Sequence, residues 1–261
     1  MKIKFIFLVV LVNVFLFLQG QDKSLFKKEI FIKGTDTMPY RILLPLNYDG
    51  SQKYPLLLFL HGSGERGTDN ESQLMHGATL FLRDSIREKY PAIVVFPNCR
   101  KESYWSNVDR KINDLGKTVY TFQPGGEPTQ AMVLLQQLLK SVIKKYPVNK
   151  SRIYVGGLSM GGMGTFEIVR RNPKLFAAAF PICGGAVPST AVKLTKPAWW
   201  IFHGAKDDVV PFIHSQKMAE ELQQLQADVK FTLYPDVNHN SWDNAFAEPG
   251  LLAWLFSKSK N

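Results

Sequence analysis

The chain has 261 residues, of which 45% are hydrophobic and 21% charged. Those fractions lie near the globular average and exclude a largely disordered, collagen-like or polytopic membrane chain. Two cysteines are too few for a disulfide scaffold or a Cys-rich zinc module, and the formal charge of +10 raises nucleic acid as a partner.

The first element is an address rather than a fold. Lys2 and Lys4 form a positive start, and Phe5 to Leu18 is apolar except for Asn13. That run is short of the about 20 residues a membrane-spanning helix needs, but it suits the apolar region of an export signal. Gly20 is small enough to precede a cleavage site, so residues 1–20 are expected to be a signal peptide cut near Gly20 and Gln21. The alternative is an uncleaved N-terminal anchor. With Lys2 and Lys4 removed, 30 basic residues face 22 acidic ones, a charge of +8. The expected location is the periplasm or the cell exterior, with no stable membrane insertion after cleavage.

Residues 21–261 hold no repeat, low-complexity block or long linker, so one domain is expected. Strands are predicted at 29–33 and 40–44, paired antiparallel. The continuous apolar runs at 55–60 (PLLLFL) and 92–96 (AIVVF) read as strands buried on both faces. A helix is predicted over 129–146, where Met132, Leu135, Leu138, Leu139, Val142 and Ile143 recur at helical spacing. Strands at 152–156, 176–182, 198–202 and 230–234 then alternate with helices at 160–171, 212–226 and 250–257. This alternation predicts an α/β fold with a mainly parallel central sheet and helices on both faces. Only about fifteen residues separate the strands at 176–182 and 198–202, too few for a helical lid, so no large cap domain is expected.

Gly157-Leu158-Ser159-Met160-Gly161 is a G-x-S-x-G motif between an apolar strand and a helix, the context that motif requires. At such a turn the serine sits in strained backbone with its hydroxyl raised above the sheet edge. The flanking glycines remove side chains that would collide across the turn. The Met160 N–H then opens a helix and is aimed at the site as an oxyanion donor.

A serine at neutral pH needs a base. Where this motif marks the nucleophile, an acid and then a histidine follow in chain order. His239 lies on a polar loop after the last predicted strand, and Asp207 lies just past the end of the strand at 198–202. Asp208 is the close rival for the acid, with helix capping as its other explanation. His203 ends a buried strand and reads as structural, His214 as a surface helix residue, and His76 as uninformative.

Gly62-Ser63-Gly64-Glu65-Arg66-Gly67 also matches G-x-G-x-x-G. No apolar helix follows it and no acidic residue ends the next strand, so dinucleotide binding is disfavoured. The same loop can supply a second oxyanion donor from its backbone after His61.

Together, HGSGERG at 61–67, GGLSMGG at 156–162, HGAKDDVVP at 203–211 and NHNSW at 238–242 resemble an α/β-hydrolase. Within that fold the chain resembles the bacterial phospholipase/carboxylesterase-like group, related to feruloyl esterases and polyhydroxybutyrate-depolymerase-like proteins. The similarity runs from Met38 to the last helix. It implies a serine esterase with Ser159, Asp207 and His239 as the triad, and it selects Asp207 over Asp208. It points to Ser63 N–H, beside Gly62, as the partner of Met160 in the oxyanion hole.

Trp105, Trp242 and Glu65 are candidate substrate contacts, with Trp105 offered as a wall for aromatic acyl groups. Glu65 and Arg66 have a second explanation, an ion pair internal to their loop. No metal or cofactor is expected. The substrate is read as a small-molecule or polysaccharide-linked ester, and the scattered lysines with no reader motif argue against nucleic acid. A serine peptidase of the prolyl-oligopeptidase type and an inactive binding module are the alternatives. In the usual strand order of this fold Cys99 and Cys183 follow strands about 14 Å apart, beyond the about 7 Å a disulfide spans, so two free thiols are expected.

Overall fold

The structure of the protein is a computed structural model that describes residues 22–114 and 116–260. The export segment read at 1–20 lies outside the described residues. Among those described, no helix is long and apolar enough to cross a membrane.

In chain order the elements are β1 (Lys27–Lys33), β2 (Asp36–Leu43), β3 (Tyr54–Leu60), α1 (Ala78–Leu82), α2 (Asp84–Lys89), β4 (Ile93–Pro97), β5 (Val108–Ile112) and β6 (Thr118–Phe122). They continue with α3 (Gln130–Lys145), β7 (Val148–Leu158), α4 (Met160–Arg171), β8 (Ala178–Ile182), β9 (Ala198–Gly204), α5 (Ile213–Gln224), β10 (Val229–Tyr234), α6 (Trp242–Ala247) and α7 (Leu251–Ser257). Eight strands form one sheet in the order β1-β2-β4-β3-β7-β8-β9-β10. The β1–β2 and β2–β4 pairs are antiparallel and the pairs from β4 to β10 are parallel. This is the mainly parallel sheet of an α/β-hydrolase.

Strand β3 shows why the continuous apolar runs form the centre. Side chains alternate across a strand. Leu56, Leu58 and Leu60 therefore pack with Leu135 and Leu139 of α3 and Phe166 of α4, while Leu57 and Phe59 pack on the other face with Phe81 of α1 and Leu255 of α7. Each such burial contributes roughly 1.5–3 kcal/mol. Helix α3 begins where the sequence placed it, because the Thr129 hydroxyl accepts from the Met132 N–H at 3.2 Å and caps the first turn.

Three departures from the sequence reading concern the surroundings of the sheet. Short helices α1 and α2 occupy 78–89, and short α6 follows at 242–247. Between β4 and α3 the chain also folds β5 and β6 into a separate antiparallel hairpin. The segment between β8 and β9 holds only a short turn at Pro188–Lys193, so the elaboration of this fold sits after β4 instead. Cys99 and Cys183 are both free and buried, and β3 and β7 lie between the strands they follow.

Candidate active site

All the predicted site residues except Trp105 gather at the carboxyl edge of β3, β7, β9 and β10. Ser159 joins β7 to α4 with φ 53° and ψ −115°, a conformation a side chain rarely adopts. Two neighbours explain how it is held. A Cβ on Gly157 would lie 2.4 Å from the Gly161 carbonyl, and one on Gly161 would lie 1.9 Å from the Leu60 carbonyl. Only glycine permits this approach of backbone to backbone. The Ser159 N–H donates to the Ile182 carbonyl at 2.8 Å, which ties the turn to β8.

The serine hydroxyl lies 3.0 Å from His239 Nε2, and His239 Nδ1 lies 2.8 Å from Asp207 Oδ2. With a carboxylate at Nδ1, that nitrogen carries the proton and Nε2 is left as the acceptor for the serine. The other Asp207 oxygen, Oδ1, accepts from the Val209 and Val210 N–H groups at 3.0 and 2.8 Å. Burial alone would raise this carboxyl. The hydrogen bonds from His203 and His239 outweigh it and hold the group far below the usual carboxylate range. Asp208 is exposed and donates its N–H to Asn238 at 3.1 Å, so the geometry separates the two neighbouring acids.

His203 does more than end a strand. Fully buried, it reaches Asp207 Oδ2 at 3.1 Å and the Val210 carbonyl at 2.8 Å through Nε2. A carbonyl only accepts, so Nε2 is a protonated nitrogen, while Nδ1 lies 2.8 Å from the Ser215 hydroxyl, which also reaches the Gly184 carbonyl at 3.1 Å. Asp207 is thus gripped by two imidazoles. The sequence signal for this was present in the spacing of four residues between His203 and Asp207.

Gly62 precedes a short helical turn at Ser63–Glu65, and Met160 is the first residue of α4. The first N–H groups of a helical turn have no partner within it and so remain available. The loop from His61 to Gly67 is pinned to the exit of β4. The Cys99 N–H donates to His61 Nε2 at 3.0 Å, which leaves the proton on Nδ1 to reach the Gly62 carbonyl at 2.7 Å. Burial lowers the His61 pKa to about 4, so the ring stays neutral in this role. Asn98 Nδ2 donates to the Glu65 carbonyl at 3.0 Å, and the Gly67 N–H donates to the Cys99 carbonyl at 2.8 Å.

Trp105 belongs to this scaffold and not to a substrate wall. It is 0% exposed, it packs against Gly164, and its Nε1–H donates to the His61 carbonyl at 3.2 Å. The expectation that it lines the cleft is corrected: the ring is wholly buried against the loop at 61–67 and presents no face to solvent. Trp242 is partly exposed, and its ring stands 5.5 Å from the His239 ring at 85°. The His76 ring is a second neighbour of Trp242, with ring centroids 5.0 Å apart and tilted by 45°. Glu65 forms no pair with Arg66. Its Oε1 lies 3.8 Å from His76 Nε2, while Arg66 bonds the Ser63 and Lys101 carbonyls.

Cys183 lies close to Asp207 and His239, with the three potential ligand atoms within 4.8 Å of one another. The imidazole and carboxylate are already bonded to each other, and burial pushes the Cys183 thiol far up, so the group is held as a neutral thiol. Chemically, the Ser159–His239–Asp207 chain is a relay able to take a proton from a hydroxyl as it attacks a carbonyl.

Residues 48–248 match the Phospholipase/Carboxylesterase family model. An endo-1,4-beta-xylanase/feruloyl esterase of Xylanibacter ruminicola is 29% identical over 65% of this chain and 23% of its own length. A bifunctional acetylxylan esterase/xylanase of Neocallimastix patriciarum is 27% identical over 70% of this chain and 24% of its own. The chain therefore spans about a quarter of these two relatives. A solved thermostable esterase superposes with a TM-score of 0.81 and 31% identity, covering 91% of this chain and 64% of its own. With that family model matched over most of its length, the chain belongs to the Phospholipase/Carboxylesterase family.

Proposed function

We propose that the protein is a serine hydrolase of carboxylic esters that works through an acyl-enzyme. The observation that carries this reading is the unbroken relay from Ser159 to His239 to Asp207, at 3.0 and 2.8 Å. Ser159 Oγ attacks the ester carbonyl carbon as His239 Nε2 takes its proton. The charge that develops on the carbonyl oxygen is received by the N–H groups of Ser63 and Met160, an arrangement in which each donor contributes about 3 kcal/mol. His239 then returns the proton to the departing alcohol oxygen. Water, deprotonated by the same imidazole, releases the acid and frees Ser159. Asp207 holds the tautomer and stabilises the imidazolium.

For the substrate we infer a feruloyl or acetyl ester attached to a polysaccharide, in keeping with the relatives named for such esters. The signal-like segment at 1–20 fits a substrate met outside the cytoplasm. Labelling of the wild type but not of Ser159→Ala by a fluorophosphonate probe tests the mechanism. Turnover of p-nitrophenyl esters, methyl ferulate and acetylated xylan tests the substrate class. A wild type that is neither labelled nor active on any of these esters would overturn the reading.

A further inference from the structure

An open cavity of about 230 Å³ lies between α1 and α6, beside the base and away from the hairpin. Its wall includes His76, Thr79, Arg83, Trp242, Asp243 and Phe246, and the remaining lining residues are apolar. We propose that this cavity is an alcohol-side subsite for a single hydroxyl-rich ring, a pyranose carrying the ester. The inference rests on the ester-hydrolase reading above and assigns the recognition to the leaving group rather than to the acyl group.

Position supports the alcohol side. The imidazole that returns a proton to the departing oxygen must be within hydrogen-bond reach of it. The alcohol therefore leaves past His239, and the next side chain on that path is Trp242, whose ring stands edge to face with the imidazole at 5.5 Å. The cavity opens along Trp242.

Chemistry supports the ring. Trp242 offers an apolar face, and around it stand a carboxylate, a guanidinium, a hydroxyl and an imidazole. One Asp243 oxygen meets Asn240 Nδ2 at 3.4 Å, which leaves the other as an acceptor. Arg83 is exposed and makes no ion pair among the described residues, so its donors are free for a ligand. Donors and acceptors of both kinds around one aromatic face match a neutral polyol. An aliphatic alcohol would use none of them, and a phosphate headgroup would meet the Asp243 carboxylate. The volume is below the roughly 300–1,000 Å³ of sites for drug-sized ligands, which suits one ring of a longer chain lying outside.

Glu65 lies beside this wall: its Oε1 is 3.8 Å from His76 Nε2, and its Oε2 is buried without a hydrogen-bond partner against Gly62.

The test pairs binding with kinetics on the full chain. Xylobiose is titrated into Ser159→Ala protein by calorimetry, and glycerophosphocholine is titrated separately as the phosphate-bearing polyol. Xylobiose is expected to bind, and Trp242→Ala and Asp243→Ala in the same background are each expected to weaken it about tenfold or more, the size expected on losing a stacking face or a charged hydrogen-bond partner. In the active enzyme the same substitutions are expected to lower the ratio of kcat/KM for an acetylated methyl xyloside to that for methyl acetate by a similar factor, chiefly through KM. Absence of xylobiose binding, equal binding in both variants, or preferential binding of glycerophosphocholine would overturn the proposal. Should Trp242→Ala fail to fold, Asp243→Ala and Arg83→Ala carry the test from exposed positions. An enzyme inactive on both esters would sink the hydrolase reading alone, because the titration reports on the cavity without turnover.

Discussion

The segments that follow β4 and β10 both leave the sheet at its carboxyl edge, and each carries a tryptophan set against a histidine, Trp105 against His61 and Trp242 against His239. They do different work. The segment at 98–105 carries the fully buried Asn98, Cys99 and Trp105, which donate to the Glu65 carbonyl, the His61 ring and the His61 carbonyl of the loop at 61–67. Residues 235–242 run outward, with His239 and Trp242 partly open to solvent. One segment braces the loop at 61–67 and the other presents His239 and Trp242 at the surface. The lesson is that a place beside a candidate site does not by itself make a side chain a substrate contact. What decides is where its hydrogen-bonding capacity has been spent.

The largest expected effect tests the outward segment. His239→Ala should lower kcat on p-nitrophenyl acetate by about 10⁶-fold, with the urea midpoint little changed. Loss of stability in proportion to loss of activity would break the contrast. In the inward segment Trp105→Ala should do the reverse. It should cost about 3–5 kcal/mol in urea unfolding, as expected for emptying a buried aromatic site. It should leave the feruloyl-to-acetyl ratio of kcat/KM unaltered, and a changed ratio would return Trp105 to the substrate wall.

A smaller effect concerns His61, which stays neutral in the folded chain down to about pH 4 because it is buried. The unfolded imidazole takes up its proton near pH 6.5, whereas the folded one resists. Protons therefore favour the unfolded chain as pH falls from about 6.5 to about 4, and up to about 3 kcal/mol of stability should be lost across that window. Unfolding curves of the wild type and His61→Asn through this range should differ in slope, and parallel curves would show that another group dominates. The smallest effect is expected at Asp208→Ala. Stability and kcat should change by no more than about 0.5 kcal/mol equivalent, whereas Asp207→Asn should cost about 10⁴-fold in kcat.

Much of this frame was legible in the residues. The buried strands announced themselves as unbroken apolar runs at 55–60 and 92–96, and the glycines around Ser159 announced the turn. Short-range spacing could not reveal what depends on sheet order. That the Cys99 N–H meets His61 follows from β4 lying beside β3, and that His76 meets Trp242 requires α1 and α6 to converge. The hairpin escaped notice for another reason. Most side chains of β5 are exposed and those of β6 are at most half-buried, so neither strand carries the apolar face that alternation detects. Short α1 and α2 offer too few turns for a helical period to show.

The contact of Gly161 with the Leu60 carbonyl has a consequence for how such a protein can change over time. Helix α4 and the exit of β3 meet with no side chain between them at Gly161, so the N–H groups of Ser63 and Met160, which we propose as the oxyanion donors, flank one rigid joint. A substitution at that joint would displace both together. Variation that alters substrate preference is therefore channelled outward, to the hairpin at 108–122 and to the walls of α1 and α6. There a new side chain meets solvent before it meets the relay.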